Sequence, residues 1–167
     1  GLYVTPLPWH YLARNPDAAA PRTEQSAAEY TRVFPLAAPH PWPSKRAQDP
    51  GFFKYYRDGY GAGDSEAGGW FTSACGPLVY QDVALPADYR GAYFVCEPAQ
   101  NLIHRAVIER DGAALRLLRA PGEEAGEFLA SRDPWFHPIH LAHGPEGAIW
   151  IVDMYREIIE DYSAIPR

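Results

Sequence analysis

The alternation of apolar and polar positions becomes regular only in the second half of the chain, and residues 135–157, WFHPIHLAHGPEGAIWIVDMYRE, organise it. Two short apolar runs flank Gly144-Pro145-Glu146-Gly147, a turn in which proline presets φ and glycine tolerates positive φ. Ala148–Val152 is an unbroken apolar run, too short for a helix and rich in β-formers. It reads as a strand buried on both faces. The same unit stands 56 positions upstream, where GAYFVCE (91–97) matches GAIWIVD (147–153) residue class for residue class. Each copy is preceded by another apolar strand, Gly76–Tyr80 in one case and His137–Leu141 in the other. A strand repeat of this length points to blades of a β-propeller, in which one blade cannot bury its faces without a neighbour.

The expected fold class is therefore all-β, a partial β-propeller of about two blades of antiparallel strands. A long irregular Pro/Gly-rich segment precedes it. Residues 1–69 hold nine of the 17 prolines and show no sustained period, as an insertion or the end of a preceding blade would. Within them, Tyr3-Val4 and Tyr30–Phe34 are short strand candidates, Pro39–Pro43 is polyproline-like, and Gln48–Arg57 has room for one or two helical turns. Gly59–Gly63 lacks the preceding strand and the GK[ST] of a phosphate loop and reads as a flexible loop. Residues 70–126 form one blade, with strands within Phe71–Tyr80, at Ala92–Glu97, at Asn101–Arg110 and at Ala114–Arg119. A turn at Asp111-Gly112 joins the last two. Residues 127–167 form an incomplete following blade. After Asp153 the spacing of Tyr155, Ile158, Ile159 and Tyr162 is helical while the blade pattern asks for a strand, and both stay open.

Composition narrows the function. A net charge of −6 over 167 residues speaks against nucleic acid or an anionic membrane surface as partner. No apolar run is long enough to span a bilayer. The start at Gly1, without methionine or signal peptide, suggests a piece of a longer protein. Cys75 and Cys96 are too few for a disulfide framework. They are either a single cross-strand pair or two buried thiols.

Chemistry can sit at the strand ends. His137, His140 and His143 do not converge on one ion from a single strand, because His137 and His143 lie roughly 20 Å apart and His140 faces the other way. Asp153-Met-Tyr-Arg156 closes a buried strand with an acid, a phenol and a guanidinium, as a structural ion pair or a ligand contact would. Glu97, the counterpart of Asp153, has His104 and Arg105 across the hairpin. No GxSxG, HExxH, EF-hand loop or CxxCH occurs, so no haem is attached within these residues.

FTSACGPLVY (71–80), LPADYRGAYFVCEPAQNLIHR (85–105) and EFLASRDPWFHPIHLAHGPEGAIWIVDMYRE (127–157) resemble the late blades of a family of inferred membrane-bound dehydrogenases, also called PVC-type haem-binding-domain proteins. That propeller is similar to those of sorbosone and soluble glucose dehydrogenases. ARNP (13–16) and Arg32-Val33-Phe34-Pro35 extend the likeness loosely. His137 stands where the family usually carries arginine, and Glu146 where it carries aspartate. The resemblance implies export to the periplasm or cell exterior. It also implies oxidation of a sugar or alcohol, with electrons passed to a c-type haem outside this chain, pyrroloquinoline quinone being the candidate cofactor. The remaining blades and the haem domain would be partners. On that reading Asp153, Arg156 and His137 act as base, anion clamp and proton carrier, while Trp135, Tyr155, His140, Glu97, His104 and Arg105 meet the substrate. The alternative is a non-catalytic propeller that scaffolds the haem domain or binds a glycan through Trp135, Tyr155 and Trp70.

Overall fold

The computed structural model describes residues 32–38, 71, 73–111 and 114–157. The expected features at 1–31, 39–70 and 158–167, among them the proline-rich and glycine-rich segments and Trp70, lie outside these residues.

The described chain is all-β. Four strands, β1 (Cys75–Val79), β2 (Tyr93–Glu97), β3 (Leu102–Asp111) and β4 (Ala114–Arg119), form an antiparallel meander in the order β1-β2-β3-β4. This is one propeller blade. A second hairpin, β6 (Pro138–His143) and β7 (Ile149–Asp153), begins the next blade and packs against β1 and β2. The architecture is a partial propeller, and the sheets do not close into a barrel.

The repeat is visible in the backbone. Gly91 and Gly147 precede β2 and β7 with φ of 82° and 84°, a left-handed conformation that costs a residue with a Cβ more than it costs glycine. In the first hairpin Gly91 N–H donates to Tyr80 and Tyr80 N–H to Ala92. In the second, Gly147 N–H donates to Gly144 and Gly144 N–H to Ala148. The two turns are the same device, with a longer loop inserted between Tyr80 and Gly91 in the first copy.

The core lies between the two hairpins. Tyr80, Phe94, Cys96, Ile103 and Leu141 are fully or almost fully buried, with Phe128, Phe136, Ile149 and Ile151 packed around them. Burying a large apolar side chain contributes about 1.5–3 kcal/mol. Gly76 has φ of 55°, and a Cβ there would lie 2.5 Å from the Cα of His140. The absent side chain lets the first strands of the two blades approach backbone to backbone. Tyr80 adds a polar pin, its buried hydroxyl donating to the Gly147 carbonyl at 2.7 Å and accepting from Leu85 N–H at 3.0 Å.

Two features differ from the sequence expectation. β7 is not buried on both faces: Trp150 and Val152 are exposed, while Ile149, Ile151 and Asp153 are half-buried. The physical reason is that the β6–β7 hairpin lays only one face on β1 and β2. A two-residue strand, β5 (Leu129–Ala130), also returns to the first sheet and pairs with Leu102 and Ile103 of β3. β3 thus pairs through its later residues with β4 and through its first two with β5. Residues 120–128 make a detour between them.

Candidate functional site

Each acid at the end of a repeat closes its own hairpin. Glu97 is fully buried and accepts from Ser73 N–H at 3.0 and 3.1 Å and from the Ser73 hydroxyl at 2.8 Å. The Ser73 oxygen in turn accepts from Ala99 N–H at 3.0 Å. Asp153 does the same in the second hairpin, one Oδ1 accepting from His137 N–H at 2.8 Å and from Tyr155 N–H at 2.9 Å. Both carboxylates therefore hold the backbone just ahead of the first strand of their hairpin. A charged acceptor strengthens such bonds to roughly twice a neutral one.

His104 and Arg105 belong to a second network, built by the 120–128 detour. Glu127, with its side chain fully buried, takes His104 Nδ1 at 2.7 Å and Arg119 at 3.1 Å. It also accepts Phe34 N–H at 2.9 Å. Arg119 stacks over Phe34 with its guanidinium carbon 4.8 Å from the ring centre, so residues 32–38 are fastened to the blade at this point. Arg105, almost fully buried, donates to Glu123 at 2.8 Å and to Asp88 at 3.4 Å, and lies 4.0 Å over the Tyr89 ring. The Glu123 pKa is raised because burial outweighs the opposing attraction of Arg105, in keeping with an Oε2 that is buried without a partner.

The histidines of the second hairpin diverge. His137 is buried, its Nδ1 2.7 Å from the Pro98 carbonyl. A carbonyl only accepts, so Nδ1 carries the proton, and a neutral ring presents a lone pair at Nε2. Nε2 is buried with no hydrogen-bond partner. The Asn101 amide nitrogen lies 3.4 Å from Nδ1, but two donors face each other there. That amide is engaged by the Phe136 carbonyl at 2.7 Å. His140 is exposed on the opposite face, beside Val152. His143 packs on the Tyr80 ring at 5.6 Å and accepts from Gln81 N–H at 3.2 Å. Among the described residues no group of three histidine, cysteine, aspartate or glutamate side chains is placed to hold a metal ion.

The polar and aromatic groups that stay accessible gather where the ladder of the second hairpin runs past its strands. Met154 N–H donates to the His137 carbonyl at 3.0 Å and Arg156 N–H to the Trp135 carbonyl at 3.2 Å. This brings the exposed rings of Trp135 and Tyr155 to 5.7 Å between centres, tilted by 51°. Tyr155 has φ of 41°, a left-handed conformation unfavourable for an aromatic residue. Asp153 holds it there by taking its N–H, and Asp133 beside its hydroxyl raises the phenol pKa. Asp133 also accepts from Trp135 N–H at 2.9 Å, which fixes the other half of the pair. Arg156 is exposed beside them.

Of the nine residues expected at the site, Asp153, Arg156, His137, Trp135 and Tyr155 lie at one end of the second hairpin, and His140 faces away from them. Glu97, His104 and Arg105 lie in other networks. Glu127, Glu123, Asn101 and Asp133 were not foreseen. Asn101 alone carried a signal, since asparagine after a short turn favours its observed φ of 56°.

Pyrroloquinoline quinone is a polycarboxylate and needs uncommitted cations. The buried guanidinium of Arg105 and that of Arg119 are already matched by Glu123, Asp88 and Glu127. Of the two arginines expected at the site, Arg156 stands exposed beside the Trp135–Tyr155 pair and is the cation left for such a group. No curated protein and no solved structure matches the chain. A family model described as a domain of unknown function, DUF7133, matches residues 1–167, and the chain belongs to that family.

Proposed function

We propose that this chain is the saccharide-binding and scaffolding part of an exported propeller protein. The Trp135–Tyr155 pair would receive the sugar ring, and any redox chemistry would lie elsewhere in the parent. The observation that carries this is the pair itself: two exposed rings held side by side, one in a strained conformation, by Asp133 and Asp153. Strain of this kind persists where the surrounding structure over-determines a residue, and it concentrates at ligand clamps. Rigid aromatic faces suit the apolar C–H face of a pyranose. Arg156 and Asp133 nearby would serve its hydroxyl groups.

A second reading keeps oxidation of a sugar or alcohol, with electrons passed to a c-type haem outside this chain. It is favoured by the buried Nε2 lone pair of His137, a base without a partner. Against it, Asp153 is occupied by two backbone amides and Arg156 stands in solvent.

Titrating the full-length protein with a saccharide panel, followed by tryptophan fluorescence, tests the first reading. At least one sugar should perturb the emission, and Trp135→Leu should weaken its binding by about tenfold without lowering the unfolding temperature. Absence of binding by every saccharide, with quinone-dependent dye reduction against one of them, would replace this reading with the second.

A further inference from the structure

Cys75 and Cys96 are both free thiols, and the β1–β2 register sets them directly opposite one another. Opposed residues of an antiparallel pair share a face, with Cα atoms about 4.5 or 5.5 Å apart according to the type of pair. Both values fall within the span a disulfide needs, about 4.4–6.8 Å. Side-chain direction agrees: Cys96 is fully buried in the cluster of Phe94 and Ile103, and Cys75 packs on the same cluster. The position is also mechanically significant. Cys96 immediately precedes Glu97, and Cys75 lies two residues after Ser73, so the thiols flank the hydrogen bonds that close the first hairpin.

We infer that Cys75 and Cys96 are a redox pair that closes to a cross-strand disulfide when an oxidised thiol carrier such as glutathione disulfide is supplied, locking the Ser73–Glu97 contact. Cys75 is the half-buried member and opens the sequence. Its thiolate attacks glutathione disulfide, forming a Cys75–glutathione disulfide and releasing glutathione thiolate. The Cys96 thiolate then attacks Cys75 Sγ, forming the intramolecular bond and expelling the second glutathione thiolate. Two protein thiols are oxidised, one glutathione disulfide is reduced to two glutathiones, and the two protons pass to the released thiolates. Burial, with a smaller contribution from Cys75, pushes the Cys96 thiol up to about 12. Burial and then Glu97 raise that of Cys75. Closure therefore accelerates as pH rises, because the thiolate is the nucleophile.

The test is intact-mass spectrometry of the full chain after incubation with glutathione disulfide, acid quench, unfolding and treatment with N-ethylmaleimide. The expected product is monomeric, two hydrogens lighter than the reduced chain and unlabelled, and it melts at a higher temperature than the reduced form. Cys96→Ser should stop at one glutathione bound to Cys75. Two maleimide labels on the oxidant-treated wild type, a stable glutathione adduct on it, or a disulfide-linked dimer would each overturn the inference. The wild-type readout decides the matter even where the serine variant fails to fold.

Discussion

Tyr155 shows how much one residue's position depends on its neighbours. Nothing in its local sequence favours φ of 41°, and the Asp153 carboxylate at the end of β7 holds its N–H there. Its phenol pKa is raised first by the hydrogen bond to Asp133 and then by the Asp133 charge. The neutral phenol is the form that bonds, so its stabilisation is complete below the ordinary tyrosine pKa of about 10 and is lost as pH rises through the higher folded value. Burial also raises the Tyr93 phenol, so in a spectrophotometric pH titration the wild type should show one more late-ionising tyrosine than Asp133→Asn does. An unchanged titration would show that the pair is not held as described. Asp153, Tyr155 and Arg156 were legible in the sequence as a polar cluster ending an apolar run. Which groups Asp153 would bind was not, because two backbone amides leave no mark on residue type. For the same reason Glu97, His104 and Arg105 looked like one site when they serve two networks.

At the scale of elements, the hairpins were readable because strand period and turn glycines are local signals. GAYFVCE and GAIWIVD matched in sequence, and their leading glycines share one conformation. What sequence could not show was the one-sided burial of β7, which depends on what packs against it. The return of β5 to β3 was equally hidden, since two residues have no period. Gly76 gives this level its sharpest test. Alanine there would carry both the left-handed backbone cost and a Cβ set against the His140 backbone, which cannot swing aside. Gly76→Ala should destabilise the protein by roughly 2–4 kcal/mol in chemical denaturation. A loss no larger than that of an ordinary surface substitution would mean that β1 and β6 are not in close contact.

At the scale of the molecule, two consecutive wedges of a propeller are closed by equivalent acids and pinned through Gly76, Tyr80 and Gly147. The exposed aromatic pair at the end of the second wedge is what they hold in place. The acids are fasteners on this account, and the proposed saccharide recognition rests on Trp135 and Tyr155. Thermal unfolding of Asp153→Ala in the full-length protein tests that division most directly. Removing an ionised acceptor from two backbone amides costs about 2 kcal/mol, so the unfolding temperature should fall by about 5 °C. An unchanged unfolding temperature together with lost turnover of a sugar or alcohol would contradict the account and make Asp153 a catalytic group.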